Sequence, residues 1–337
     1  MKFLQIGLGS MGKRRIRCLQ ANAQSDIVAF DPREDRRAEA QEKYGVSAFA
    51  TLDEGLAANP DAVVISVPGA LHMEYLLAGA RAGKHLFCEV PLTTKLDGIA
   101  ELRELVAGKQ LVCAPGCQTL WDAGTRILRE RMQTPQFGRL LHVTYATGSY
   151  LPGWHPYEGI SEFYASNFSM GGGNLDVVAQ ELVWLNWLIG SSMTSVSCRT
   201  AKVGDLELAA GTPDTMEIVI EHANGMLLNA HFDLNDRSSE TGLRLAGTNG
   251  TAAWSKGAFG TLSFYDDDSA AWSPAEIPAP TIDEQVYVHE IGAWLRCLEG
   301  KASWPVSLDL AESIVRVLIG LQVSANEDRP VQLEDLG

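Results

Sequence analysis

The amino-acid sequence predicts a doubly wound α/β domain followed by an α+β domain whose open sheet is mainly antiparallel. Three observations carry that prediction. Residues 2–113 alternate short apolar runs with longer amphipathic segments; from about Trp121 the runs lengthen and alternate with period two; and glycines are spaced Gly7, Gly9, Gly12 where the first run meets the first helical pattern. A chain of 337 residues is long enough for roughly two domains, and the change of pattern puts them at 1–120 and 121–337.

In the first domain, Phe3 to Ile6, Ile27 to Phe30, Ala62 to Val67, His85 to Cys88 and Leu111 to Cys113 have the length and residue types of buried strands. Between them, Gly12 to Ala21, Glu34 to Tyr44, Leu71 to Ala82 and Lys95 to Ala107 space their apolar residues as helices do. Right-handed crossovers join such units into a parallel sheet covered on both faces. In the second domain, Arg139 to Gly148, Met193 to Val203, Asp214 to His222 and Met226 to Asn235 read as strands. Asn224-Gly225 marks a tight antiparallel hairpin, and Asp266-Asp267-Asp268 a solvated turn. Helices at Asp283 to Leu298 and Leu308 to Ala325 close the chain.

With 46% hydrophobic and 20% charged residues the composition is that of an ordinary globular protein, neither disordered nor fibrous. Lys and Arg number 27 against 42 Asp and Glu, a net charge of -15 that repels a phosphate backbone, so no nucleic-acid partner is expected. No apolar stretch approaches the about 20 residues of a membrane span, and Met1 to Ile6 leads straight into the glycine turn without a leader pattern, so a cytoplasmic protein with no membrane partner is expected. The six cysteines lack the two-residue spacing of a zinc or redox site, and Cys113 and Cys117 read as buried thiols; no metal is expected.

Gly7-Leu8-Gly9-Ser10-Met11-Gly12 follows a strand and opens a helix. In that position the first glycine permits the tight turn, the second lets a pyrophosphate reach the backbone amides, and the third lets helix and strand pack closely. Asp31, at the end of the second strand, can accept both ribose hydroxyls of an adenosine and would repel a 2′-phosphate, which favours NAD. Arg33, Arg36 and Arg37 follow closely, and a guanidinium there would admit NADP.

With these residues in view, the chain resembles the glucose-fructose oxidoreductase, inositol dehydrogenase and MocA (Gfo/Idh/MocA) family along nearly its whole length. The likeness rests on Gly7 to Gly12; on Val64 to Pro68 with Leu71-His72; on Gly83 to Leu92, similar to a family segment ending in Glu-Lys-Pro; and on Gly171 to Asp176 with Leu182, Trp184, Leu185 and Trp187 to Gly190. The resemblance implies an NAD(P)-dependent oxidation of a sugar or cyclitol hydroxyl by a homodimer or homotetramer built on the open sheet faces. It implies further that Val67, Pro68 and His72 line the dinucleotide, that Glu89 and Val90 approach the nicotinamide ribose, and that Gln118 contacts the sugar-like substrate. In the family pattern a Lys, an Asp and a His share the proton work. Here Val90 stands for the Lys and Gln180 for the His, while Asp176 is retained; Val183 occupies a position that is Asp in many relatives.

That departure bears on the chemistry, because a carbinol becomes a carbonyl only if its hydroxyl proton leaves with the hydride, and a positioned base is worth about 10²- to 10⁴-fold. Valine cannot act as one, and glutamine can orient a hydroxyl without titrating near neutral pH. Asp176 and Gln180, four apart, share one helix face, where the macrodipole favours an ionised, weakly basic Asp176. Two readings stand for Asp176: proton acceptor, or satisfier of its helix N-terminus. Tyr150, Trp154, His155 and Tyr157, continuing through Phe163, Tyr164 and Phe168, likewise read either as ligand contacts, with His155 as a replacement base, or as anchors of a long loop. His72 reads as a cofactor-side or packing residue, and His142, His222, His231 and His289 as facing the surface or structural partners.

Three functions fit these residues. The first is a dehydrogenase with Asp176 or His155 in the proton role. The second is a lyase or epimerase that uses NAD without net consumption, and the third a non-catalytic binder of a dinucleotide or metabolite.

Overall fold

The computed structural model describes residues 1–154, 159–160, 163–256, 260–278 and 283–336. They form two compact units, Met1–Trp121 with Pro280–Glu312 and Asp122–Ala279 with Ser313–Gly337.

The first unit begins β1 (Phe3–Ile6), α1 (Ser10–Ala21), β2 (Ile27–Phe30), α2 (Glu34–Tyr44), β3 (Ser47–Phe49), α3 (Leu52–Ala57) and β4 (Ala62–Ile65). It continues with α4 (His72–Arg81), β5 (His85–Cys88), α5 (Ile99–Gly108) and β6 (Cys113–Pro115). The strands run parallel in the order β3-β2-β1-β4-β5-β6. Every residue of β1 and β4 is buried, as the two central strands of a sheet covered on both faces must be. Strand order reverses between β1 and β4, and the crevice beyond their carboxyl ends is where a doubly wound sheet binds its ligand. Two differences from expectation have local causes. The α5 helix starts at Ile99 rather than near Lys95 because Gly98 takes φ +85°, and the last strand lies at Cys113–Pro115.

The second unit contains α6 (Ala123–Met132), β7 (Leu140–Gly148), α7 (Leu175–Ile189), β8 (Met193–Ala201), β9 (Thr215–His222) and β10 (Leu227–Asp233). Then follow β11 (Thr241–Gly247), β12 (Gly250–Lys256), β13 (Thr261–Asp266) and β14 (Ala271–Pro274). After α8 (Asp283–Leu298) and α9 (Leu308–Glu327), the short β15 (Val331–Gln332) pairs with β8. The sheet runs β14-β13-β12-β11-β7-β10-β9-β8-β15 and is antiparallel except for the central β7–β10 pair. Asn224-Gly225 turns β9 into β10, with Gly225 at φ +80°, and the acidic run turns β13 into β14. Along β9, Met216, Ile218 and Ile220 are buried while Glu217, Val219 and Glu221 are exposed, so one sheet face is packed and the other open. On the packed side Tyr145, Trp184, Phe232 and Trp254 form a chain of ring contacts, and Gly124 of α6 lies so close to Trp254 that a Cβ would come within 2.3 Å of its ring.

The first unit runs to Trp121 and also takes in the stretch containing α8, which the expected division at 1–120 and 121–337 assigned to the second domain. The cause is α8's apolar stripe: Trp294 is fully buried with its ring 5.8 Å from Phe3 and 5.4 Å from Phe87, and Ile291 joins the same core. Among the described residues no helix is long and apolar enough to cross a membrane.

Candidate active site

The glycine turn leaves β1 at Gly7, whose φ of +86° and closeness to the Ser66 carbonyl exclude a side chain. A Cβ on Gly12 would lie 1.9 Å from the Gly7 carbonyl oxygen, which is how α1 packs against the turn. Gly9 differs: a Cβ there would meet only the Arg36 guanidinium, at 3.7 Å, so the space above Gly9 is open. Gly9 is also the N-cap of α1, and no side chain caps the helix. The first-turn amides of Ser10, Met11 and Gly12 therefore present unspent donors and the positive end of the helix dipole. These residues fit a pyrophosphate.

Asp31 is buried, and its carboxylate already accepts the Leu8 amide at 2.8 Å and the Arg33 amide at 2.9 Å. It braces the glycine turn from the end of β2, and each oxygen keeps lone-pair capacity for a ribose hydroxyl. Of the nearby arginines, Arg33 pairs with Asp35 and Arg37 donates to the carbonyls of Asp31 and Pro32. Arg36 lies 3.8 Å from the Asp31 carboxylate.

His72, fully enclosed at the start of α4, sets Nδ1 2.6 Å from the Pro91 carbonyl and Nε2 2.8 Å from the Val67 carbonyl. Burial lowers its pKa, the two carbonyls and Glu89 opposing. The neutral ring has one N–H to donate, to one or other of these carbonyls, and its enclosed position fits the packing role expected as one of its two readings. His72 ties the Val67-Pro68 turn after β4 to the Val90-Pro91 segment after β5.

Glu89 is held from within the first unit. The guanidinium of Arg15, wholly buried on α1, donates to both Glu89 oxygens at 2.5 and 2.9 Å and to Glu290 of α8 at 2.6 Å. Glu290 in turn accepts the Cys117 amide at 2.6 Å, and the guanidinium stacks 4.6 Å from the Phe87 centroid. Burial acts against the Arg15 charge, but Glu290 and Glu89 outweigh it and raise its pKa. Glu290 is pushed up by the same burial, with Arg15 opposing. Arg15 and Glu290 were missed in the sequence, although a signal existed: Arg15 falls with Gly12 and Leu19 on the buried stripe of α1. Val90 carries no group that titrates, and Gln118, half-buried in a 3₁₀ turn, makes no hydrogen bond to a described residue.

In the second unit Asp176 sits in the first turn of α7. Its Oδ1 accepts the Val177 amide at 2.9 Å and its Oδ2 the Tyr164 hydroxyl at 3.1 Å. Desolvation raises its pKa to about 6 although both hydrogen bonds work the other way. The macrodipole expected to favour the ionised form acts against this desolvation. A helix terminus contributes about 0.3–1 kcal/mol, less than one pKa unit, whereas burial moves a carboxyl by up to several. Gln180 follows one turn later on α7, partly exposed.

Of the loop aromatics, Trp154 packs with Leu151, Phe163, Ala165 and Leu234 and donates to Ser149, while Tyr150 lies under the Arg237 guanidinium at 4.0 Å. These two anchor the loop. His155 lies outside the described residues. His142 meets Asn229, His231 lies between Glu217 and Asp233, and His289 is exposed, but His222 is buried with neither ring nitrogen bonded, and burial lowers it to about 4. Among the described residues no cysteine is in a disulfide, and no metal-binding cluster of His, Cys, Asp or Glu occurs.

Residues 1–117 match the model of the oxidoreductase family with an NAD-binding Rossmann fold, and residues 125–253 match the Gfo/Idh/MocA C-terminal domain. The inositol 2-dehydrogenase of Pseudomonas syringae pv. syringae is 30% identical over 242 residues, 70% of this chain and 68% of that protein. That of Corynebacterium glutamicum is 28% identical over 238 residues, and this match spans 68% of the present chain and 66% of the relative. An NAD-binding oxidoreductase from Klebsiella pneumoniae superposes with a TM-score of 0.85 at 14% identity, covering 99% of both chains. A levoglucosan dehydrogenase in complex with NADH does so at 0.85 and 17% identity, again covering 99% of each.

Proposed function

Because the chain belongs to the Gfo/Idh/MocA family of NAD-binding oxidoreductases, we propose that it oxidises a secondary hydroxyl of a cyclitol, sugar or sugar derivative, with Asp176 receiving the hydroxyl proton. The observation that carries the proton role is the Asp176 carboxyl itself, partly accessible and desolvated to a pKa of about 6. A base is most effective when its pKa lies near the working pH, and at pH 7 about nine-tenths of such a carboxyl is ionised and ready. Bound NAD would supply the nicotinamide carbon that accepts the hydride. The amides of Ser10, Met11 and Gly12 would hold its pyrophosphate, and Asp31 the adenosine ribose, favouring NAD over NADP. Arg36, beside Asp31, is the group that would admit a 2′-phosphate. Gln180 would orient the substrate hydroxyl from the same helix face as Asp176. The resemblance to inositol dehydrogenases supports the substrate class, and the open face of the second unit's sheet is the surface that would carry a homodimer or homotetramer contact.

The test is NADH formation, followed at 340 nm with a panel of cyclitols, sugars and nucleotide sugars, in the parent and in Asp176→Asn. The reading expects turnover that the substitution cuts by about 10²-fold or more; turnover unchanged by it would remove Asp176 from the mechanism. A redox-neutral lyase or epimerase is the second reading, favoured by Val90, which places no titrating group beside Glu89. Substrate consumption without net NADH would select it, and binding of NADH without turnover of any panel member would leave a non-catalytic dinucleotide binder.

A further inference from the structure

We propose that Tyr164 is a second proton-handling residue, its phenol oxygen taking the substrate hydroxyl proton as its own proton passes to Asp176 Oδ2. This rests on the dehydrogenase reading above and goes beyond it in naming the group that meets the substrate. The surroundings of the Tyr164 hydroxyl support this. Its hydroxyl donates to Oδ2 at 3.1 Å while Oδ1 is taken by the Val177 amide, so the Oδ2 side of the carboxyl is met by the phenol. Tyr164 is 37% exposed, unusual for a ring that also packs edge-on against Phe163 at 5.1 Å, so the group holding Asp176 also faces outward.

Its position is fixed by backbone. Tyr164–Ser166 is a 3₁₀ turn in which the Tyr164 carbonyl accepts the Asn167 amide, and the Gly173 amide donates to the Ala165 carbonyl. A Cβ on Gly172 would come within 2.3 Å of the Tyr164 carbonyl oxygen. The glycine run at the entry to α7 thus presses the 164–166 turn onto the helix, giving the run a purpose beyond admitting the chain. A phenol hydroxyl is donor and acceptor at once, which is what a relay between a carbinol and a carboxylate needs.

The step balances. Bound NAD would supply the acceptor for the carbinol hydride, while the hydroxyl O–H bond breaks and its proton bonds to the Tyr164 oxygen. The former Tyr164 proton bonds to Asp176 Oδ2. The products are a ketone, reduced cofactor, a neutral tyrosine and a neutral carboxylic acid.

Tyr164→Phe keeps the ring and removes the relay. The expected result is a kcat lower by about 10²-fold with KM for NAD unchanged, and a Tyr164→Phe/Asp176→Asn double variant no slower than Asp176→Asn alone, because the two act as one unit. Site-specific replacement of Tyr164 by fluorotyrosine, which keeps the hydrogen bond but makes the phenol more acidic, should shift the pH–rate profile, which a packing role would not do. Independently of turnover, carboxyl NMR should show Asp176 titrating at higher pH in Tyr164→Phe, since the phenol holds that value down. Loss of rate in Asp176→Asn with Tyr164→Phe within twofold of the parent would overturn the relay and leave the base. Loss in neither would overturn the reading beneath it, and an unmoved Asp176 titration would remove the hydrogen bond on which the proposal stands.

Discussion

Replacing Arg15 by methionine is the most demanding test of the first unit. The change keeps an unbranched apolar stem but takes away the cation that is shared by Glu89 and Glu290 and stacked on Phe87. Removing one partner of a buried ion pair costs about 3–5 kcal/mol, and here two carboxylates lose the same partner. A unit of this size loses ~2–4 °C of melting temperature per kcal/mol, so a fall of ~6–20 °C is expected. The sign of its pH dependence follows from the carboxyls. Without Arg15, the burial that already pushes the Glu290 carboxyl up acts without its opposing cation, so the folded state binds more protons than the unfolded one and stability falls as pH rises between the unfolded and folded values of that carboxyl. Calorimetry at pH 5 and pH 8 should therefore show the larger deficit at pH 8. A compensated variant, Arg15→Met with Glu89→Gln and Glu290→Gln, should recover most of the loss and flatten the pH dependence. A single variant melting within 2 °C of the parent at pH 8 would mean that these charges are solvated, and the buried network would have to be abandoned.

The remaining predictions concern the cofactor turn and the two helices that flank it. Gly9→Ala should fold normally and weaken NADH binding, measured by fluorescence titration, because its methyl group enters the open space where the anion would sit; Gly12→Ala should lower thermal stability as well, its Cβ lying 1.9 Å from a carbonyl oxygen. His72→Ala should weaken NADH binding by loosening the Val67 and Pro91 segments, and an affinity unchanged from the parent would deny His72 its bracing role. Trp294→Ala should cost about 3–5 kcal/mol in a denaturation experiment, enough to expose α8 to proteolysis before the rest of the first unit.

How far the sequence revealed the fold depended on the length of each element. The parallel strands and long helices of the first unit were legible because apolar runs and helical spacing repeat there over many residues. The three-residue β3 and six-residue α3 fall below the length at which periodicity speaks, although Thr51-x-x-Glu54, which forms a capping box on α3, was a readable sign. Strands β11 to β14 escaped because several are rich in Gly, Ser and Ala, and the return of α8 to the first unit is a long-range packing preference that no local pattern records. At the site, the glycine turn and Asp31 were legible as a motif. The partners that absorb Glu89 and His72 were not, since a carboxylate 74 residues from its arginine leaves no mark on local spacing.

The same limit explains why the proton chemistry had to be read from the structure. Val90 and Gln180 stand where the family resemblance leads one to expect titrating groups, and by residue type alone Asp176 is a carboxyl of ordinary acidity in a helix first turn, ionised but a poor base. What changes it is enclosure. Desolvation pushes the carboxyl up, the helix terminus and two hydrogen bonds pull it down by less, and the balance falls near 6. Activity that depends on the ionised form should then rise with pH through about 6 and level off above it, and the profile should be lost with Asp176→Asn. The same shift acts on stability: a folded-state pKa above the unfolded value stabilises the fold at low pH and is lost as pH rises from about 4 through 6. Asp176→Asn should therefore melt higher than the parent at pH 8 and close to it at pH 4. A variant that loses turnover while gaining stability would identify Asp176 as a group kept for its reactivity at the expense of the fold; equal melting at both pH values would show instead that the carboxyl is solvated and that the proton must be taken elsewhere.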